Sequence, residues 1–372
     1  MRLHLLALPH TRLDEDHLSC AYTQKVVKFL NMMAGLHEIY LYGPEIIPLA
    51  NGHTDHIVCV QESERAAWFG AQPFNTVNSG AFNWDGRSAW WQKFAERAIP
   101  AIKERAQQGD IVLVTSGGDT QMMIANAVAD RCKIVEWAVG YEGVVADFCA
   151  FESYAWMHHV YGLRQWRNGR VFDQVIPNYF DEADFLPPRE PDSKPYLLFL
   201  GRVLARKGPH IAAQIAARLG MKLVVAGPGA IQAGTGGRIY GEGVVLEDGE
   251  LEYVGEVGKA QRAELIAGAA CMLSPTVYVE PFGGSAVEAM MGGCPVVGSD
   301  WGAFTETVTK ETGRTFRTMR QACMAVIEAM TLDRNEVARV ARAKYSLDAV
   351  RPRFERWFEQ IQTLWGPGYY AK

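Results

Sequence analysis

The feature that most restricts the fold is an alternation of strand-length apolar runs with helix-length amphipathic runs, which occurs twice along the chain. In the first half, "RLHLLAL" is followed by "YTQKVVKFLNMMAGL" and "HEIYLYG". A more irregular aromatic stretch then leads to "WWQKFAERAIPAIKERAQQ", "DIVLVTS", a helix from Asp119 and "KIVEWAV". Strands alternating with helices build parallel sheets covered on both faces, so the fold class is α/β. The segment "FLPPREPDSKP", with four prolines, admits neither a helix interior nor a central strand. Beyond it the alternation restarts with "YLLFLG", "PHIAAQIAARLG", "KLVVAG", "LEYVG", "KAQRAELIAGA", "CMLSPT", a helix from Ser285 and "PVVGS". Two doubly wound domains facing a cleft are expected, over residues 1–186 and 187–348. A helix over 349–372 carries Phe354, Trp357, Phe358, Ile361 and Trp365 on its apolar side and packs back on one of them.

With 372 residues, 48% hydrophobic and 21% charged, the chain has material for two packed cores. A net charge of -5 argues against a surface broadly adapted to polyanions. The start has no secretory pattern and no stretch reaches membrane-spanning length, which points to a cytoplasmic protein. Seven scattered cysteines without a C-x-x-C pair fit reduced thiols. The "DED" at Asp14–Asp16 and the "HTDH" at His53–His56 read as solvated loops with no third ligand nearby, so no metal is expected.

Chemistry concentrates in "YVEPFGGSAVEAMMGG", Tyr278 to Gly293. Gly283 and Gly284 separate a strand from a helix, and free N–H groups at a helix start attract an anion that glycines let approach. Glu280 and Glu288 cannot usefully face a phosphate but can accept hydrogen bonds from hydroxyls. Their neighbours are mostly apolar or glycine, which disfavours a fully solvated face. Positive charge comes from "LFLGRVLARKG", where Arg202 and Lys207 follow a strand and suit a diphosphate, while Arg206 stays on the surface.

"GRVLARKG", "LVVAGPG", "YVGEV" and "EPFGGSAVEAMMGGCPVVGSDWGAFTETV", in this order, resemble the nucleotide-sugar half of family-four glycosyltransferases (glycosyl transferases group 1), retaining enzymes of the GT-B fold. "VIPNYFDEADF" resembles the segment that closes their first domain. The resemblance implies that Arg202 and Lys207 meet the donor diphosphate and that Glu280 meets the transferred sugar. Phe282, Gly283 and Gly284 would present backbone N–H groups, and Glu288 would hold the ribose. Gly227, Gly229, Val254, Glu256 and Val257 would shape the nucleobase slot. It also implies a UDP-sugar donor as co-substrate, with neither metal nor cofactor.

The first domain departs from the pattern, since "LPHTRLDEDHLSCAYTQK" lacks a glycine pair and Gly140–Tyr141 stand where relatives often carry a histidine. Acceptor-side candidates are Gly117 and Gly118 in "TSGGDTQ", with Glu152, Tyr154, His158 and His159 in "FESYAWMHHVYG". Trp90, Trp91, Trp166, Arg164, Arg167 and Arg170 suit sugar faces or nucleic acid equally, and read most simply as buried rings and solvated charges. The leading expectation is a retaining hexosyltransferase acting on an acceptor hydroxyl. Resemblance to phage-type enzymes supports a second reading, glucosylation of hydroxymethylated bases in DNA. The missing first-domain residues support a third, an inactive nucleotide-sugar-binding module.

Overall fold

The structure, a computed structural model, describes residues 1–18, 20–70, 83–234 and 236–364, so Trp365 lies outside the described residues. Packing divides the chain into two units: Met1–Glu152, Val160–Pro177 and Arg351–Lys372 form one, and Ser153–His159 with Asn178–Val350 form the other.

The first unit is built on seven parallel strands: β1 (Arg2–Leu6), β2 (Glu38–Pro44), β3 (Asp55–Val60), β4 (Ile111–Val114), β5 (Lys133–Val139), β6 (Phe148–Phe151) and β7 (Gln174–Val175). Their spatial order is β3-β2-β1-β4-β5-β6-β7. The chain therefore winds outward from β1 in one direction, then returns to β4 and winds outward in the other. Helices α1 (Ala21–Met33), α2 (Glu62–Phe69), α3 (Ala89–Arg105) and α4 (Gly118–Val128) cover the sheet. Phe94, Ala98 and Ile102 recur every four residues along α3 and meet Val112, Val114 and Ile124 in one cluster. The stretch that reads as irregular contains β3 and α2, whose amphipathic pattern is short.

After α5 (Tyr154–Leu163), whose residues are divided between the units, the second unit repeats the plan. Its main strands are β8 (Tyr196–Leu200) and β9 (Lys222–Ala226), with α6 (Pro209–Leu219) between them. A small antiparallel meander follows, made of β10 (Ala230–Gln232), β11 (Ile239–Gly241) and β12 (Val244–Leu246). Next come β13 (Leu251–Gly255), α7 (Lys259–Gly268), β14 (Cys271–Ser274), α8 (Gly284–Met291), β15 (Val296–Ser299), α9 (Phe304–Thr307) and β16 (Gly313–Phe316). Helices α10 (Met319–Ala329) and α11 (Arg334–Tyr345) complete the unit. The sheet runs β13-β9-β8-β14-β15-β16, all parallel.

The continuous apolar run of β8 follows from burial on both faces. Leu197 and Phe199 pack toward α6 and α10, whereas Leu198 and Leu200 pack toward α8 and α11. The two sheets thus have the same order in their first six strands. In each, the first and fourth strands are neighbours whose following loops diverge, which is where such sheets open a ligand crevice.

The last helix, α12 (Leu347–Leu364), carries Phe354 against Phe29 and Trp137 of the first unit. Trp357 Nε1 donates to the Phe172 carbonyl at 2.6 Å, and Arg351 Nε donates to the Met32 carbonyl at 2.8 Å.

Candidate active site

In the second unit the diverging loops follow β8 and β14, and they carry the two groups of residues the sequence singles out. Beyond β8, Gly201 to Gly208 turns back into α6, with Gly208 at φ +72°. A Cβ there would lie 2.0 Å from the Pro275 carbonyl oxygen, so the two loops touch backbone to backbone. Val277 N donates to the Arg206 carbonyl at 2.9 Å, which fixes their alignment.

Lys207 Nζ then reaches Glu280 Oε2 at 2.7 Å. Tyr278 donates its hydroxyl to the same carboxylate oxygen at 2.8 Å. Both Arg206 and Lys207 place their cationic groups over the Tyr278 ring, at 5.0 and 5.1 Å from its centre. Arg206 is exposed, as expected, but its charge rests on an aromatic face of the site. Arg202 has no ion-pair partner among the described residues and packs its stem against Gly229.

Glu280 is buried, and its backbone is held from the far side by the loop after β15. Ala303 N donates to the Glu280 carbonyl at 3.0 Å, and Gly302 approaches so closely that a Cβ would lie 2.6 Å from the Glu280 amide nitrogen. Ser153 donates to the Pro281 carbonyl at 2.7 Å, while Glu306 accepts the Tyr154 and Ala155 amides at the start of α5, at 2.9 and 2.7 Å.

The Phe282–Gly283–Gly284 turn begins α8. Phe282 itself is core, stacked with Phe180 and edge-on to Tyr345, so only its backbone is available to a ligand. Gly283 sits at φ +79°, with Phe304 Cε1 only 2.4 Å from where a Cβ would stand. The N–H groups of Gly284 and Ser285 find no backbone acceptor among the described residues, leaving the positive end of α8 open. One turn into the helix, Glu288 is buried and lies 3.6 Å from Arg262 Nη1.

The remaining donor-side candidates gather on the same edge of the sheet. Gly227 N donates to the Gly255 carbonyl at 2.8 Å, and the Tyr253 hydroxyl donates to the Gly227 carbonyl at 2.8 Å. A Cβ on Gly227 would lie 2.2 Å from the Gly201 oxygen. Val254 and Val257 are half-buried against the core, and Glu256 is exposed. The basic loop has a further support absent from the sequence reading: Leu204 bridges to Glu242, with Glu242 N to Val203 O and Ala205 N to Glu242 O both at 3.0 Å. The meander thereby extends into the segment between Arg202 and Lys207.

At the first unit's corresponding position, Thr115 donates its hydroxyl to the Leu6 carbonyl at 2.7 Å, and Gln121 donates to the Ala7 carbonyl at 3.1 Å. Gly117 and Gly118 both adopt positive φ at the start of α4. A Cβ on Gly117 would lie 1.8 Å from Glu136 Oε1. Burial pushes the Glu136 carboxyl up from its ordinary range, against the opposing effect of hydrogen bonds from the Tyr141 hydroxyl and the Ala146 and Val145 amides. Tyr141 thus supports a buried carboxylate beside the glycine pair.

Glu152 is buried and paired with Lys25, which also donates to the Ala138 carbonyl. Tyr154, His158 and His159 group instead with the second unit. Tyr154 and His158 are exposed on α5 with their rings 6.3 Å apart, whereas His159 lies against Trp156 at 4.7 Å. Trp91 is buried, and Arg170 covers Trp166 at 4.2 Å while pairing with Asp173 at 2.9 Å.

Two loop readings need correction. Asp14 is not simply solvated: a short helical turn brings His17 Nδ1 to 2.6 Å, and Arg12 Nε also lies at 2.6 Å. His56 lies in β3, not a loop, and donates from Nε2 to the Pro44 carbonyl at 2.8 Å. Among the described residues no group of three metal-binding side chains occurs, and no helix is long and apolar enough to cross a membrane.

Of the residues at the site, Tyr278, Arg262 and Glu306 receive no role in the sequence reading. Tyr278 carried a usable signal, standing two positions before Glu280 in a stretch made extended by Pro281. The others depend on long-range packing.

Residues 194–333 match the family model of the glycosyl transferases group 1. No curated protein sequence matches the chain. Among solved structures, AviGT4, a glycosyltransferase involved in avilamycin A biosynthesis, is 20% identical with a TM-score of 0.63, covering 97% of this chain and 98% of its own. Sucrose-phosphate synthase from Thermosynechococcus elongatus is 16% identical with a TM-score of 0.65, covering 97% and 99%. Anabaena Alr3699/HepE, solved with UDP and glucose, is 13% identical with a TM-score of 0.64, covering 96% and 99%. These likenesses extend the shared fold over both units.

Proposed function

We propose, from the match of residues 194–333 to the glycosyl transferases group 1 and from the GT-B fold of the chain, a retaining, metal-independent transfer of a hexose from a nucleotide sugar to an acceptor hydroxyl. The observation that carries this reading is the meeting of Lys207 and Glu280 at 2.7 Å where the loops after β8 and β14 diverge, beside the open start of α8. A cation, a carboxylate and unpaired amides together match a ligand that joins a diphosphate to a polyol. We assign UDP-glucose as the donor, since Alr3699/HepE has been solved with it.

In this reading Arg202, Lys207 and the Gly284 and Ser285 amides take the diphosphate, Glu280 takes hydroxyls of the hexose, and Glu288 takes the ribose. Breaking the bond from the sugar to the phosphate oxygen sends its electron pair onto the phosphate as the sugar becomes oxocarbenium-like. Fixed positive groups at that oxygen lower the barrier. Gly227, Gly229, Val254, Glu256 and Val257 are assigned to the base. On the acceptor side we assign the Gly117–Gly118 turn, with Tyr154, His158 and His159. Glu152 is assigned to the same side, its charge answered by Lys25.

The test is to offer labelled nucleotide sugars without acceptor and follow slow hydrolysis in the wild type and in Glu280→Ala. Turnover of UDP-glucose that the substitution abolishes supports the reading; binding without turnover across sugar, lipid and modified-DNA acceptors favours a binding module instead. Transfer to hydroxymethylated DNA, with binding that falls steeply with salt, identifies the nucleic-acid acceptor.

A further inference from the structure

Resting on the donor assignment above, we propose that Tyr278 is a positioning residue that holds Glu280 in its sugar-binding orientation when Lys207 turns to the diphosphate. The starting observation is that both donors to Glu280 converge on one oxygen. Lys207 Nζ at 2.7 Å and the Tyr278 hydroxyl at 2.8 Å share Oε2, and Oε1 accepts no hydrogen bond from the described residues.

The carboxylate is therefore divided into a held oxygen and a free one. A diol of the hexose has the free oxygen to donate to. The diphosphate, however, competes for the Lys207 ammonium, which belongs to a mobile four-carbon side chain. Once that ammonium moves, a carboxylate with no other donor would be free to rotate away from the sugar. The Tyr278 hydroxyl removes that freedom, because it is attached to a ring that Arg206 and Lys207 flank at 5.0 and 5.1 Å. The ring has a second consequence: it keeps the Lys207 ammonium near the site as it changes partner, since a cation over an aromatic face is held without a fixed hydrogen-bond direction. Tyr278 thus touches the cation that serves the diphosphate and the anion that serves the sugar.

Tyr278→Phe removes the hydroxyl and keeps the ring; Tyr278→Leu removes both. Calorimetric titration with UDP and with UDP-glucose separates the two roles, because only the second ligand presents a hexose to Glu280. For Tyr278→Phe the expected result is unchanged UDP affinity, with about a tenfold loss for UDP-glucose and a similar fall in the kcat of donor hydrolysis, as for one hydrogen bond to a charged group. For Tyr278→Leu, UDP binding weakens as well. Equal loss for UDP and UDP-glucose in Tyr278→Phe, or no loss for either, overturns the inference while the donor assignment stands. A wild type that binds UDP-glucose no better than an unrelated nucleotide sugar overturns the donor assignment and this inference with it.

Discussion

Lys207 Nζ and Glu280 Oε2 stand 2.7 Å apart although they are 73 positions apart in sequence, because β8 and β14 are adjacent and the loops that follow them carry both residues. A buried carboxylate next to a basic loop is stable in isolation, since each charge answers the other. In the proposed function the same pair also prepares the site for a ligand that carries both a phosphate and hydroxyls. Arg202, without an ion-pair partner among the described residues, and the start of α8, whose first amides meet no backbone acceptor among them, supply positive charge that the pair does not consume.

Removing either cation should act on the leaving group. We expect Lys207→Ala and Arg202→Ala each to lose about 2 to 4 kcal/mol of transition-state stabilisation, the scale of one donor to a developing oxyanion. Comparison of kcat/KM for donor turnover checks this, and wild-type values in both variants would remove the two residues from the mechanism.

Gly283→Ala should destabilise the fold by about 2 to 5 kcal/mol, through left-handed backbone strain and overpacking together. The left-handed φ of +79° disfavours any Cβ, and Phe304 occupies its place. Urea unfolding of the second unit's transition provides the measurement. A midpoint equal to wild type would mean that Phe304 moves aside at no cost.

Gly117→Ala tests the first unit in the same way. Its Cβ would enter the space of Glu136 Oε1 and displace the carboxylate from Tyr141. We expect a loss of about 2 kcal/mol or more, and Gly118→Ala should cost less, because its nearest neighbour is 3.6 Å away.

Acid should weaken the first unit through its buried histidines, a slope that the raised carboxyls of Glu136 and of Asp173, the latter at about 6, oppose in part. Burial lowers the pKa of His10 well below its ordinary value, and lowers those of His4 and His17 against the opposing pull of Asp110 and Asp14. A depressed histidine pKa means that the unfolded chain binds the proton first. The histidine contribution to stability is therefore complete above about pH 6.5 and is lost as pH drops below it, by about 1.4 kcal/mol per pH unit for His10. Denaturant midpoints between pH 7.5 and 5 check the slope, and His10→Leu should flatten it.

Much of this architecture is legible in the sequence because local pattern and burial agree. "YLLFL" is apolar throughout since its alternate residues enter different clusters. Gly283, Gly284 and Glu288 are legible because a strand, a turn and a helix are contiguous there. The meander escapes such reading because its strands have three residues each, too short for a period to emerge. Glu306 capping α5 is hidden for another reason: its partners lie 151 and 152 positions away, and an isolated glutamate in sequence carries no mark of which amides it will meet. His17 turning back onto Asp14 is local, yet it needs the geometry of a single helical turn to be visible.

The bridge from Leu204 to Glu242 makes the basic loop an extra edge of the meander. Anyone exchanging this ribbon between relatives would transplant part of the proposed donor site along with it. The portable cassette is residues 230–246 together with 203–205, and a graft that took only the former would leave the segment between Arg202 and Lys207 without its strand-edge support.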